Sequence, residues 1–138
     1  MSAEVFLDTN ILVYGFDPEA AAKQRVSKGL LDSKGWFVSW QVIQEFSSVA
    51  LHRFAVPMKS SDLADYISLK LWPRCSILPS DAIFSQAIAI HARYGYRYYD
   101  CLIISSAIVG GATKLLSEDL QHGQKIGALS IILSLIHI

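Results

Sequence analysis

Four carboxylates in this 138-residue chain stand where local structure alone has little use for them. Asp8 follows an apolar run in VFLDTNILVYGFD, closing what reads as a buried strand, and Asp119 follows the strand-like TKLL with the same logic. Asp100 opens DCLIISSAIVGG, where free N–H groups and the helix dipole favour negative charge. Glu45 sits among Val42, Ile43, Phe46 and Val49, beside the apolar stripe of its helix rather than opposite it. A charge in such surroundings needs a partner. No Lys or Arg lies three or four residues from Glu45, and none is near Asp8 in sequence. The expected partner is therefore a cation from solution, and hard oxygen ligands select Mg²⁺ or Mn²⁺ over Zn²⁺. Taken singly, each acid also has an ordinary use: an Asx turn for Asp8, an N-cap for Asp100, a loop charge for Asp119, a surface position for Glu45.

The elements that must position these acids are short apolar runs alternating with stretches of helical periodicity. Strands are expected at 5–7, 36–39, 75–78, 113–116 and 129–133. A helical turn with Ile11, Leu12, Tyr14 and Phe16 should follow the first strand. Asp17 and Pro18 then signal a helix over 18–31, with Ala22, Val26 and Leu30 buried and Lys23, Gln24 and Lys28 outside. Val42, Ile43, Phe46, Val49 and Ala50 predict the next helix, closed by Pro57. SSDLADYISLKLW predicts another, capped by Ser60 or Ser61, with Leu63, Tyr66, Ile67 and Leu71 on one face. Two more run from Ser80 to Gly95 and through DCLIISSAIVGG to Gly110 and Gly111. This alternation predicts a parallel sheet covered on both faces. In such a sheet the ligand site lies beyond the carboxyl ends of the strands, the edge that Asp8 and Asp119 occupy.

Composition narrows the classes further. A hydrophobic content of 52% over 138 residues suits one domain with a sizeable core. Twelve basic residues balance twelve acidic ones, so no whole-protein field draws the chain to nucleic acid or anionic membrane, and nucleic-acid contacts must be local. Cys75 and Cys101 lie in apolar surroundings without CxxC or a neighbouring His, which predicts reduced core thiols and a cytoplasmic protein. No export signal is read at the N-terminus, and no apolar stretch reaches the roughly 18 residues of a membrane helix.

The segments LDTNILVY, VIQEF, YYDCLIISSA and LLSEDLQHG, in that order, resemble the PIN-domain ribonucleases, and in particular the VapC-type toxins of toxin–antitoxin pairs. The resemblance spans residues 5–132. It implies an α/β, three-layer α/β/α fold with a parallel sheet in the order 3-2-1-4-5, and a metal site of Asp8, Glu45, Asp100 and Asp119. Asn10 and Ser117 match positions that orient the carboxylates, whereas Glu118 is a loop charge. The implied activity is metal-dependent endonucleolytic cleavage of single-stranded or structured RNA, with divalent ions activating a water for in-line attack and leaving 5′-phosphate and 3′-hydroxyl ends. Among Arg93, Tyr94, Tyr96, Arg97, Tyr98 and Tyr99, Arg97 is the best phosphate candidate; His122 is a lesser one, and His91 reads as a core-edge or surface residue. The resemblance also implies an antitoxin partner and is compatible with a homodimer. Ile11, Leu12, Tyr14, Phe16, Val49 and Phe54 are the residues expected to form an open groove for an antitoxin helix.

Two rivals share parts of this pattern. A phosphate-receiver module needs an acidic pair on the first strand's loop and a lysine after a late strand, and Lys114 falls too early for that role. A PIN scaffold without activity, binding RNA or a partner, is opposed by the four retained acids. The ending LSLIHI at 133–138 reads as a non-native tail on a domain of residues 1–132.

Overall fold

A computed structural model of the chain describes residues 4–118, 125–127 and 129–132. Strand β1 (Val5–Leu7) lies at the centre of a sheet, with β2 (Trp36–Ser39) and β3 (Cys75–Ile77) to one side and β4 (Lys114–Leu116), β6 (Leu129–Ile132) and β5 (Lys125–Ile126) to the other. All neighbours pair in parallel except β5 with β6. Successive strand residues point to opposite faces. Phe6 and Leu7, all four residues of β2, and Leu115 with Leu116 are buried, so helices cover both faces of the sheet. The five parallel strands keep the order expected for them. The added strand is β5, which turns through Gly127 at φ 61° and pairs antiparallel with β6, making the latter sixth rather than fifth in the chain.

Among the described residues six α-helices connect these strands: α1 (Thr9–Tyr14), α2 (Ala21–Asp32), α3 (Trp40–His52), α4 (Ser60–Tyr66), α5 (Asp81–Tyr94) and α6 (Tyr98–Val109). Ser80 caps α5 by accepting from the Ile83 N–H, and Gly95 ends it in the left-handed conformation, both as the sequence signals predict. Helix α6 is buried from Cys101 to Ala107, which explains why its pattern is apolar all round rather than striped.

The structure departs from the sequence expectations at helices α2 and α4 and at the expected groove. Helix α2 starts at Ala21, because Asp17 accepts from the Glu19 N–H in a local turn instead of capping the helix. Its inward face is also rotated: Ala22 and Val26 are exposed while Ser27 is fully buried, its hydroxyl donating to the Ile11 carbonyl at 2.6 Å. Gln24 and Lys23 reach the Gly15 carbonyl and the Tyr14 hydroxyl, so polar bonds to α1 set the face. Helix α4 has Lys59 at its N-cap with no side-chain cap from Ser60 or Ser61, and after Tyr66 it widens into a π-helical turn (Ile67–Leu71) and then a 3₁₀ turn (Trp72–Arg74) around Pro73. The groove expected from Ile11, Leu12, Tyr14, Phe16, Val49 and Phe54 is largely filled. Ile11 and Leu12 are fully buried, and Phe16 stacks on Phe54 at 5.4 Å between centroids, with Phe46 and Tyr66 completing an aromatic cluster.

Candidate active site

The register of β1 against β4 builds the first part of the site. Leu7 pairs with Leu116, so the residues that follow, Asp8 and Ser117, emerge side by side at the carboxyl edge. The Asp8 N–H donates to the Leu116 carbonyl at 3.0 Å, and its side chain is held at both oxygens. Oδ1 accepts from the Thr9 N–H at 2.7 Å and Oδ2 from the Ser117 hydroxyl at 2.8 Å. Asp8 therefore also caps α1. Asp8 is 5% exposed and Ser117 is wholly buried.

Glu45 is fixed from two directions. Oε2 accepts from the Thr9 hydroxyl at 2.7 Å, and Oε1 accepts from the Gln41 amide, one turn earlier on α3, at 3.0 Å. The same amide nitrogen donates to the Tyr99 carbonyl at 3.1 Å, tying α3 to the first turn of α6. Asp100 lies in that turn and pairs with Arg97, Nε to Oδ2 at 3.3 Å. A cavity of about 290 Å³ brings these groups together, lined by Asp8, Glu45, Arg97, Tyr99, Asp100 and Ile103. A second, of about 450 Å³, is lined by Thr9, Asn10, Val13, Glu45, Ser48 and Val49 together with Arg53. Glu45 belongs to both.

Three of the four expected acids thus face one cavity; Asp119 and His122 lie outside the described residues, as does 133–138. Asn10 accepts from the Glu118 N–H through Oδ1 at 3.4 Å, holding the turn after β4 against α1. Glu118 itself pairs with Lys23 at 3.3 Å. Lys23 also donates to Tyr14, and that bond is the main cause of a pKa raised above the ordinary lysine value. Arg97 lines the cavity with an 82% exposed side chain. Of the tyrosines near it, only Tyr99 lines the same cavity; Tyr94 and Tyr96 stack on each other at 5.8 Å with Arg93 over Tyr94, and His91 meets the Tyr96 carbonyl.

Sequence reading missed Thr9 and Gln41 as positioning residues. Gln41 carries a signal in hindsight, since it lies four residues before Glu45 on one helix face. Thr9 carries none, because its partner is 36 residues away.

The donor set is all oxygen. Each oxygen of Asp8 and Glu45 accepts a hydrogen bond that fixes its direction, and both carboxylates line the cavity. Among the described residues no three His, Cys, Asp or Glu side chains close to metal-holding spacing, so the acids form an open wall rather than a cage. That openness suits a small hard cation, which keeps several waters and uses one or two carboxylates.

An aspartate at the end of a central parallel strand, facing helix-borne acids across the sheet edge, defines the class. The profile of the PIN domain matches residues 5–125, and the chain belongs to the PIN domain family. Its fold is similar to the toxin–antitoxin complex from Klebsiella pneumoniae, with 18% identity, TM-score 0.66, and coverage of 91% of this chain and 95% of that one. It is similar to VapBC2 from Rickettsia felis bound to a DNA fragment from their promoter, with 19% identity, TM-score 0.62 and coverage of 92% and 96%. FitAcB from Neisseria gonorrhoeae matches with 17% identity, TM-score 0.64 and coverage of 97% and 99%. A comparison with curated protein sequences finds no significant match.

Proposed function

We propose that this chain is a metal-dependent endoribonuclease and the toxin of a toxin–antitoxin pair, acting in the cytoplasm as a single PIN domain over residues 1–132. The observation that carries the reading is the convergence of Asp8, Glu45 and Asp100 on one cavity at the carboxyl edge of the sheet. Asp119 is assigned to the same site. Mg²⁺ or Mn²⁺ held by these four acids would supply the Lewis-acid charge that acidifies a water and offsets charge on the phosphate. The chain's own residues do the rest. Thr9 and Ser117 hold the Asp8 carboxylate in one orientation, and Thr9 with Gln41 does the same for Glu45, so no reorganisation is needed as charge develops. Asn10 steadies the turn that leads to Asp119. Arg97, beside Asp100, is placed to meet a phosphate oxygen.

An antitoxin partner is supported by the similarity to the toxin–antitoxin complex from Klebsiella pneumoniae, and a homodimer is compatible with it. The function is tested by incubating the purified chain with mixed RNA, with and without Mg²⁺ or Mn²⁺, and analysing the new ends. Cation-dependent internal cuts leaving 5′-phosphate are expected. RNA that stays intact with both ions would leave an inactive scaffold as the better reading. The toxin assignment is tested separately, by co-expression with the small gene immediately upstream of its own; a product that neither binds nor inhibits overturns it.

A further inference from the structure

The two cavities that share Glu45 each contain one guanidinium: Arg97 in the first, Arg53 in the second. We propose that the second cavity is the continuation of the substrate path, and that Arg53 binds a phosphate of single-stranded RNA flanking the one at the acids. This inference rests on the nuclease reading above and specifies how the strand lies.

The charge pattern argues for it first. A wall of carboxylates repels a polyanion, and a chain with zero net charge offers no general field to overcome that. Local cations on the strand's course must do so. Arg97 spends part of its charge on Asp100, whereas the Arg53 side chain has no ion pair or hydrogen bond among the described residues. A guanidinium suits phosphate because its planar fork can donate two parallel bonds.

Placement argues for it second. Arg53 follows the last turn of α3, eight residues after Glu45, or about 12 Å along the axis at the usual rise. A phosphate held there and one at the acids belong to a short run of the same strand. Between them the groove offers Val13 and Val49 as an apolar floor for a base or ribose, with Ser48 able to hydrogen-bond a polar edge. The rival use of Arg53 is to face the negative end of the α3 dipole, which predicts an effect on stability and none on RNA.

The test uses the full chain, its Arg53→Gln and Arg53→Lys variants, and a labelled single-stranded RNA dodecamer of mixed sequence. For Arg53→Gln, KM is expected to rise at least fivefold with kcat within twofold, and the slope of log(kcat/KM) against log salt to flatten by about 0.7, the loss of one phosphate contact on a single strand. Arg53→Lys should keep the slope. An unchanged KM and slope in Arg53→Gln, with or without a lower Tm, overturns the path while the nuclease reading stands. If the wild type cleaves nothing, dodecamer binding by anisotropy decides: binding that weakens in Arg53→Gln keeps the groove, and binding indifferent to Arg53 overturns it. A DNA dodecamer of the same sequence bound more tightly than the RNA overturns the RNA assignment, and a groove that only a co-expressed protein occupies overturns the path altogether.

Discussion

The hydroxyl of Thr9 donates to Glu45 at 2.7 Å while its own N–H donates to Asp8 at the same distance, so one residue orients carboxylates from two elements. Thr9→Val removes the hydroxyl and leaves the backbone bond. Cleavage should fall about tenfold, since a hydrogen bond to a charged group contributes roughly 1.5–3 kcal/mol and a misplaced ligand loses much of its effect. Thr9→Ser should restore it. Steady-state cleavage by the three proteins checks this, and a fully active valine variant would remove Thr9 from the site.

Asp8→Asn, Asp100→Asn and Asp119→Asn should each abolish cleavage without unfolding the chain. At Asp8 the new amide keeps one acceptor, and the Ser117 hydroxyl can rotate to accept from the other end. In EDTA each variant should melt at or above the wild-type Tm, because like charges repel at a carboxylate cluster. Millimolar Mg²⁺ or Mn²⁺ should stabilise the wild type alone, by about 2.7 kcal/mol at a hundredfold excess over Kd, read as a higher Tm. Indifference of the wild type to both ions would speak against the site.

Gly110→Ala should destabilise the fold although the backbone there is right-handed helical. A Cβ at that position runs into the ring of Phe37, which is buried and packed edge-on against Phe6. Overpacking of this kind costs about 1–3 kcal/mol, a Tm loss on the order of 5 °C. Gly111, at φ 79°, meets open space, so alanine there carries only the left-handed penalty of about 1 kcal/mol. Thermal melts of both variants separate room from backbone conformation.

Between pH 7 and about 9 the Cys101, Cys75 and Tyr66 side chains should leave stability level, and above about pH 9 they should lower it. Burial first, then the Asp100 charge, pushes the Cys101 thiol above its ordinary 9.0, and burial raises Cys75 and Tyr66 as well. The folded state keeps protons that the unfolded chain releases, so these groups stabilise fully below their unfolded values and lose that contribution as pH rises through the folded ones. Urea midpoints across pH 7–10.5 check the trend. Cys101 should also resist iodoacetamide until the chain opens, since the thiolate is the reactive form.

Local patterns in the sequence determined much of the frame. Short apolar runs could be read as β1, β2, β3, β4 and β6, the Ser80 cap and the Gly95 stop bracket α5, and the motif order around Asp8, Glu45 and Asp100 carried the family. These features depend on periodicity and end chemistry within a few residues. The face of α2 was not legible, because the hydrogen bond from Ser27 to Ile11 outweighs the apolar stripe that Ala22 and Val26 suggest. Nor was the filling of the expected groove, where Phe16, Phe46, Phe54 and Tyr66 meet from separate elements. The register of β1 on β4 set Asp8 beside Ser117, and the packing of α3 against α1 and α6 set Glu45 between Thr9 and Gln41. Which residues carry acids is written in the chain, but which donors aim them is decided only when elements distant in sequence are packed together, because a hydrogen bond depends on a few tenths of an ångström that no local pattern encodes.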